Sequence, residues 1–395
     1  MKLSISILLS FLSLAALAQH SVQGRVIDGE TNTPLPGANV FIAKTTYGVS
    51  TGADGAFTIR NLRPVHYQLV VSFIGYGTQV FDVNPGEPKT YKVILQPLAK
   101  TLNEVVITGG KRSRSEWLAN YKIFKERFIG LSDNAKLCTI ENPRVLDFQN
   151  ENGLLKATAD SMLIIVNKGL GYRIKVLLEK YEFNRITFLV HYEGQMVYEP
   201  LIPANETEKI RWARNRLKAY TGSEMHFLRT LYNRRLINEG YYFNLINEVN
   251  TGITGGGMKR VGISDAVETP RSPIYNNKRI KMHTITNYNR ILDSLTSIET
   301  PEQPLLKFTG DLEIQYIMEA EDYDYQVNRQ LHPGKMPQRS TIILRKPAIV
   351  QEHGQIYPQD AIETRGYWSW ELIAESLPLD YETDNDQKIS SQANE

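Results

Sequence analysis

Residues 24–95 constrain the fold most strongly, because they contain short apolar segments separated by turn residues. The segments are rich in β-branched and aromatic residues, and no segment between them has a helical period. Short strands at this regular spacing favour a small all-β sandwich. The segments are 23–27, 38–42, 56–59, 67–73, 79–83 and 91–95.

Turn residues lie where such a sandwich needs them. Asp54-Gly55 predicts a tight hairpin, since glycine accepts the positive φ that such a turn requires. The stretch from Asp28 to Gly37 is a polar loop with two prolines, and Gly75-Tyr76-Gly77 marks a further corner. The sequence therefore predicts loops as well as strands.

Four separate segments in order resemble the carboxypeptidase regulatory-like domain. They are Gly24-Arg25-Val26-Ile27-Asp28, Pro34-Leu35-Pro36-Gly37-Ala38-Asn39-Val40, Asp54-Gly55-Ala56-Phe57 and Phe73-Ile74-Gly75-Tyr76. The resemblance implies a prealbumin-like sandwich of seven strands at 21–97, of the kind common in exported proteins of Bacteroidota. Gly52-Ala53 departs from the acidic residue that the family often has at this turn, which removes support for an ion there.

Residues 102–109 resemble the junction that follows this domain in TonB-dependent outer-membrane receptors of the same bacteria. In those receptors a plug and a barrel come next, whereas here a basic segment, 110–114, leads into a different region. We favour an edge strand and a linker at 98–114 over a strand that docks a partner. The chain is not predicted to be a receptor.

The N-terminus has the features of an export signal. Lys2 precedes a short apolar run, and Ala16-Leu17-Ala18 offers small residues before a cleavage site at Gln19. We therefore expect residues 1–18 to be removed and the protein to be exported, to the periplasm or the outer membrane. With Cys138 as its single cysteine, the chain forms no internal disulfide and must gain its stability from burial.

Composition excludes few partners. The chain has 42% hydrophobic and 22% charged residues and a formal net charge of +2, which gives no reason to expect nucleic acid as a partner. Nothing after the signal is long and apolar enough to be a membrane helix.

The region from 115 to 381 is predicted to be a second, β-rich α+β region that contains a helix pair. Apolar residues at helical spacing predict helices at 115–129, 206–220 and 224–237. The ending at 366–381 predicts a short helix stopped by Pro378. The region resembles the uncharacterised C-terminal part of Bacteroidota proteins with this domain, and residues 382–395 form a polar tail. Predicted strands are 145–149, 154–159, 162–166, 173–178, 186–191, 195–198, 241–249, 305–318 and 340–344.

Three sets of residues are candidates for binding or modification. Arg211, Arg214, Arg229 and Arg235 form a candidate anion patch, although the solvated face of a helix hairpin is the commoner role of such residues. Trp368 and Trp370 form a candidate platform for sugar stacking, with packing against the sheet as the favoured alternative. Ser161 and Ser294 follow aspartates in a pattern similar to that of O-glycosylated Bacteroidota proteins.

Motifs for catalysis are lacking. His191 is followed by Glu193, one position short of the zinc-carboxypeptidase spacing, and Cys138 has no local signature. Residues 251–260 lack the phosphate-loop pattern. The carboxylates at 319, 321, 322 and 324 lack EF-hand spacing and are predicted to be an exposed strand end. The sequence predicts no metal and no cofactor.

These observations predict a non-catalytic interaction protein of the cell envelope. The sandwich is expected to dock or to act as a spacer, and the C-terminal region to bind an envelope protein or glycan. A TonB-dependent receptor system is one candidate partner. The alternative is a periplasmic hydrolase of glycan or peptide, since a dispersed pair of carboxylates follows no spacing rule.

Overall fold

The computed structural model describes residues 20–98, 114–248, 266–268, 274–275, 278–285, 296–300, 303–329, 331 and 333–384. These residues separate into two compact units. The first contains strands β1 to β7, and the second contains Lys44–Thr46 and the described residues from Arg114 onward. The predicted signal, junction, phosphate-loop segment, Ser294 and the tail beyond Asp384 lie outside the described residues.

The first unit is a sandwich of two sheets with strand orders β4-β1-β7 and β3-β2-β5-β6. β1 pairs antiparallel with β4 and parallel with β7, and the remaining pairs are antiparallel. Alternate apolar residues of both sheets form one core. The predicted seven-stranded sandwich is therefore confirmed. Its strands are β1 His20–Asp28, β2 Asn39–Ile42, β3 Gly48–Ser50, β4 Ala56–Leu62, β5 Tyr67–Ser72, β6 Gln79–Val83 and β7 Thr90–Leu95.

The first half of the second unit is a six-stranded antiparallel sheet. Its long central strand, β12, pairs with β13 along one edge and with β10 and β11 along the other. Asn152 and Gly153 both have positive φ at the turn between β9 and β10, so these two strands form a tight hairpin. The strands are β8 Cys138–Ile140, β9 Leu146–Glu151, β10 Leu154–Ala159, β11 Leu163–Asn167, β12 Tyr172–Asn184 and β13 Val190–Pro200.

Five α-helices lie in the described part of the second unit. The helix pair, α3 and α4, begins at side-chain caps, since Asn205 accepts from the Glu208 amide and Ser223 from the His226 amide. No helix among the described residues is both long and apolar enough to span a membrane. The helices are α1 Arg114–Phe128, α2 Asp133–Lys136, α3 Glu206–Tyr220, α4 Glu224–Tyr232 and α5 Tyr323–Asn328.

The second half contains a seven-stranded sheet of order β15-β17-β14-β20-β21-β24, with β16 paired to β17, and a four-stranded sheet of order β18-β19-β22-β23. Phe227, Leu228 and Leu231 of α4 pack into the core that these sheets share. The strands are β14 Tyr241–Glu248, β15 Ala266–Glu268, β16 Ile274–Tyr275, β17 Lys278–Ile285, β18 Thr296–Thr300, β19 Gln303–Leu306, β20 Asp311–Ala320, β21 Pro337–Leu344, β22 Ala348–Val350, β23 Ile356–Tyr357 and β24 Ile362–Gly366.

The C-terminal segment, residues 373–381, completes the core of the six-stranded sheet. Ile373, Leu377 and Tyr381 are buried with residues of α1 and of that sheet. The Asn167 side chain donates to the carbonyl of Ala374 at 2.9 Å, so the segment is also held by a hydrogen bond.

Several predicted elements differ from the structure. The predicted strand end at 319–325 is wrong, because β20 ends at Ala320 and α5 begins at Tyr323. The strand predicted at 186–191 is mostly a turn, and α4 ends at Tyr232 rather than at residue 237. The short helix predicted near 366–378 is replaced by two 3-10 turns, Tyr367–Ser369 and Ile373–Glu375.

Candidate functional site

The residues that carry the family resemblance hold the loops of the sandwich. Tyr76 donates its hydroxyl to Oδ2 of Asp28 at 2.6 Å, while Oδ1 of Asp28 accepts from the amides of Glu30 and Thr31. The hydrogen bond from Tyr76, followed by those two amides, lowers the pKa of Asp28. A Cβ at Gly24 would lie 2.2 Å from the carbonyl oxygen of Tyr91, so only glycine fits there. These motif residues therefore have structural roles.

Arg229 of the candidate anion patch is committed to the interior of the second unit. Its Nε donates to the carbonyl of His353 at 3.1 Å, and its terminal nitrogens donate to the carbonyls of Tyr381 and Leu379, each at 2.9 Å. The guanidinium also lies over the ring of Tyr220. Arg229 is therefore not available to an external anion, which corrects its assignment to the patch.

The other three arginines lie at the surface. Arg211 pairs with Glu208 at 2.9 Å, and Arg235 pairs with Glu239. Arg214 is exposed on α3. Because two of the three are already paired with carboxylates, the solvated helix face describes them better than an anion site does.

The paired tryptophans do not form an exposed platform. Trp368 is 7% exposed, its Nε1 donates to the carbonyl of Gly222 at 2.7 Å, and its ring lies 5.4 Å from that of Phe227. Trp370 is half-buried and meets Tyr325 edge to face. A sugar cannot stack on Trp368 unless the core opens, so the sugar-stacking assignment is corrected to packing in the core.

Ser161 is exposed at the bend between β10 and β11. Its position is accessible to modification, and glycosylation there stays a prediction. The second candidate acceptor, Ser294, lies outside the described residues.

His191 lies exposed on β13, where its Nε2 is 3.0 Å from Oε1 of Glu193. Among the described residues, no three His, Cys, Asp or Glu side chains are grouped so that they could hold a metal ion. Cys138 is buried, and its thiol donates to the carbonyl of Asn134 at 3.3 Å. Burial raises the pKa of this thiol to about 12, so the nucleophilic thiolate is disfavoured.

The second unit brings together a group of titratable side chains that are far apart in sequence. We call Glu319, Asp322, Glu371 and Glu375, with Lys218, the carboxylate cluster. Lys218 of α3 approaches Asp322 at 3.5 Å. Glu375 accepts from the side chains of Ser132 and Asn134, the latter at 2.8 Å. The Nε2 of Gln338 donates to Glu319 at 3.3 Å.

Burial and mutual repulsion disfavour the ionised forms in this cluster. Burial raises the pKa of Glu319 to about 7, although Lys218 and Gln338 oppose the shift. The pKa of Glu371 lies well above its usual range because of burial, and then because of Glu375 and Asp322. Burial also raises the pKa of Glu375, against its hydrogen bonds from Ser132 and Asn134. The cluster can therefore retain protons at a pH where most carboxyls have lost them.

Sequence reasoning noticed the acidic stretch around Asp322 but missed the cluster. Its members come from α3, from β20, from the residue before α5 and from positions 371 and 375, so no local spacing connects them. The local signal is the pattern of acidic residues and tyrosines at 319–325, which predicts a strand end.

The first unit is a small β-sandwich whose motif residues hold its loops, and this part of the chain is similar to known proteins. Residues 22–107 match the family model of the CarboxypepD_reg-like domain. The resemblance to the carboxypeptidase regulatory-like domain is therefore confirmed for this part of the chain.

Curated relatives share a limited part of their length with this chain. The TonB-dependent receptor P39 of Formosa agariphila is 35% identical over 100 residues, which are 25% of this chain and 9% of that protein. The TonB-dependent receptor SusC of Bacteroides thetaiotaomicron is 33% identical over 129 residues, or 32% of this chain and 12% of the receptor. The match thus spans about a tenth of each receptor.

A crystal structure of a putative membrane-associated protein of unknown function from Bacteroides fragilis aligns with 88% of this chain and 95% of its own. Its sequence identity is 10% and its TM-score is 0.17. A score this low does not relate the two folds.

Proposed function

We propose that this chain is a non-catalytic interaction protein of the bacterial cell envelope. The observation that carries the proposal is the confirmed regulatory-like domain, together with the TonB-dependent receptors that share sequence with this chain. In this proposal the sandwich docks onto a partner or acts as a spacer, and the second unit binds an envelope protein or glycan.

Exposed apolar side chains on the sandwich support a docking role. Ile74 is 90% exposed in the loop that also carries Tyr76, and Leu98 is 63% exposed just beyond the last strand. The Leu98 amide donates to the carbonyl of Gly75 at 2.8 Å, so the two segments lie side by side. Large apolar side chains left in solvent next to each other are typical of interaction surfaces.

Affinity purification from native membranes tests the proposal. A tagged chain expressed in its host is cross-linked and recovered, and Ile74→Asp is compared with Ile202→Asp, which alters a 93% exposed isoleucine of the second unit. We expect a stoichiometric membrane protein with the wild-type chain and with Ile202→Asp, and its loss with Ile74→Asp. Recovery of a solitary periplasmic protein would count against docking.

The carboxylate cluster favours a second candidate, a hydrolase of glycan or peptide. Three carboxyls with raised pKa values, Glu319, Glu371 and Glu375, would retain the proton that a general acid donates to a leaving group. Turnover of peptidoglycan fragments or peptides by the wild-type chain, abolished in Glu319→Gln and Glu371→Gln but retained in Glu179→Gln, would favour the enzyme. No turnover by the wild-type chain would favour the binding protein.

A further inference from the structure

The loop between β12 and β13 presents three large apolar side chains to solvent. Ile186 is 78% exposed, Phe188 62% and Leu189 71%. We call these three residues the apolar tip. The residues of a β-turn on a protein surface are usually small or polar, so three exposed apolar side chains among four successive residues need a physical reason.

Hydrogen bonds at its base hold the loop in shape. Oδ1 of Asn184 accepts from the amides of Ile186 at 2.8 Å and Thr187 at 3.0 Å. The backbone of Asn184 also bonds to Phe188 at 2.8 Å and to Leu189 at 2.9 Å. The tip therefore projects in a defined conformation. Its backbone loses little conformational freedom when a partner buries its side chains.

Phe188 adopts a left-handed backbone conformation, with φ of 60°. This conformation is unfavourable for a bulky side chain, and here it accompanies an aromatic ring that is mostly in solvent. Strain of this kind is concentrated at functional loops. An asparagine or glycine would adopt this conformation with less strain, so the chain presents the phenylalanine ring here at an energetic cost.

Two cations lie beside the apolar tip. The guanidinium of Arg127 is 5.3 Å from the ring centroid of Phe183 and 5.7 Å from that of Phe188. Arg185 donates to Oδ1 of Asn120 at 3.1 Å and of Asn150 at 2.9 Å. Asn150 in turn lies 3.4 Å from Glu116, so a carboxylate also lies near the base of the loop.

We propose that the apolar tip inserts into the interface of a lipid membrane that carries anionic headgroups. A convex tip of three apolar side chains offers less surface area than a stable protein interface buries. Shallow insertion into the headgroup region, as peripheral proteins achieve, needs only a short apolar projection. Arg127 and Arg185, at the base of the tip, would then lie at the level of the lipid phosphates. The proposal depends on this loop and not on the docking role of the sandwich.

Vesicle sedimentation tests it with the mature chain, residues 19–395, which retains every described residue. We expect binding to phosphatidylcholine vesicles containing phosphatidylglycerol, and at least a tenfold loss in Phe188→Asp and in Ile186→Asp. Arg127→Gln should weaken binding to these anionic vesicles but not to vesicles of phosphatidylcholine alone. Ile202→Asp, the matched change of an exposed isoleucine elsewhere, should bind like the wild-type chain.

Leu189→Trp gives a second readout that does not depend on loss of binding. Its fluorescence should shift to shorter wavelength when anionic vesicles are added, because the indole leaves water. The proposal is overturned if the wild-type chain sediments neither with the anionic vesicles nor with vesicles of phosphatidylcholine alone. It is also overturned if Ile202→Asp loses binding as Phe188→Asp does. Concentration-dependent dimerisation that Phe188→Asp abolishes would instead assign the tip to a second copy of the chain.

Discussion

The hydroxyl of Tyr241 donates to Nδ1 of His226 at 2.9 Å, in the core of the second unit. The amide of Gly222 donates to the same nitrogen at 3.1 Å, so Nδ1 is an acceptor and the imidazole is neutral. Burial, and then the charges of Arg229 and Arg235, lower the pKa of His226 to about 4. The ring joins α4 to β14 through Tyr241, and its protonation would remove the acceptor of the Gly222 amide.

We predict that His226 makes the second unit sensitive to acid. Because the folded pKa lies below the unfolded one, the contribution of His226 to stability is complete above pH 6.5 and is lost as the pH falls toward 4. The loss should be about 3 kcal/mol. The measurement is the difference in free energy of unfolding between the wild-type chain and His226→Gln, taken above pH 6.5 and again near pH 4. This difference should shrink by about 3 kcal/mol from the higher pH to the lower.

Glu319 should have the opposite pH dependence. Since its folded pKa is raised to about 7, its protonation stabilises the folded chain at low pH, and this contribution is lost as the pH rises through 7. Glu319→Gln keeps a neutral side chain at every pH, so its melting temperature relative to the wild-type chain should rise by a few degrees between pH 5 and pH 9. Glu179→Gln, an exposed change on β12, should show no such rise.

Arg229→Gln should destabilise the second unit by about 3 kcal/mol, because buried carbonyls lose charged donors. Lysine cannot reach three acceptors in a fork, so Arg229→Lys should be intermediate. Urea denaturation measures both changes. Arg214→Gln, on the exposed face of α3, should stay within about 0.5 kcal/mol of the wild-type chain. Equal effects at the two positions would contradict the structural role of Arg229.

Gly24→Ala should destabilise the sandwich by about 2 kcal/mol, because the new methyl group would collide with the Tyr91 carbonyl and the Phe57 ring. Gly77→Ala is the matched control. A Cβ at Gly77 meets nothing closer than 3.8 Å, so its effect should be within about 0.5 kcal/mol. Thermal unfolding of both variants, followed by circular dichroism, measures the difference.

Local patterns predicted the parts of the fold that local interactions determine. The bounds of α3 were predicted as observed, because an asparagine cap and a periodic apolar face define the helix from within. The strand β12 was predicted only as far as Leu178, since its remainder is fixed by pairing with β10 and β13. The helix at Tyr323 was missed because burial of Tyr325 and Gln326 in the tertiary fold outweighs the alternating pattern.

The candidate sites show the same division. The burial of Trp368 and the three acceptors of Arg229 depend on residues more than a hundred positions away in the chain. A sequence pattern identifies the residue types but not their partners. Composition likewise gave no indication of the carboxylate cluster, whose raised pKa values come from burial and from long-range proximity.

The place of residues 373–381 in the core has a consequence for biogenesis. Strands β8 to β13 are synthesised before this segment, and without Ile373, Leu377 and Tyr381 the core that they form with α1 is incomplete. If the chain crosses a membrane N-terminus first, the core of that sheet cannot be completed until nearly the whole polypeptide has emerged. Chaperones and proteases on the far side would therefore encounter this sheet before its core is complete.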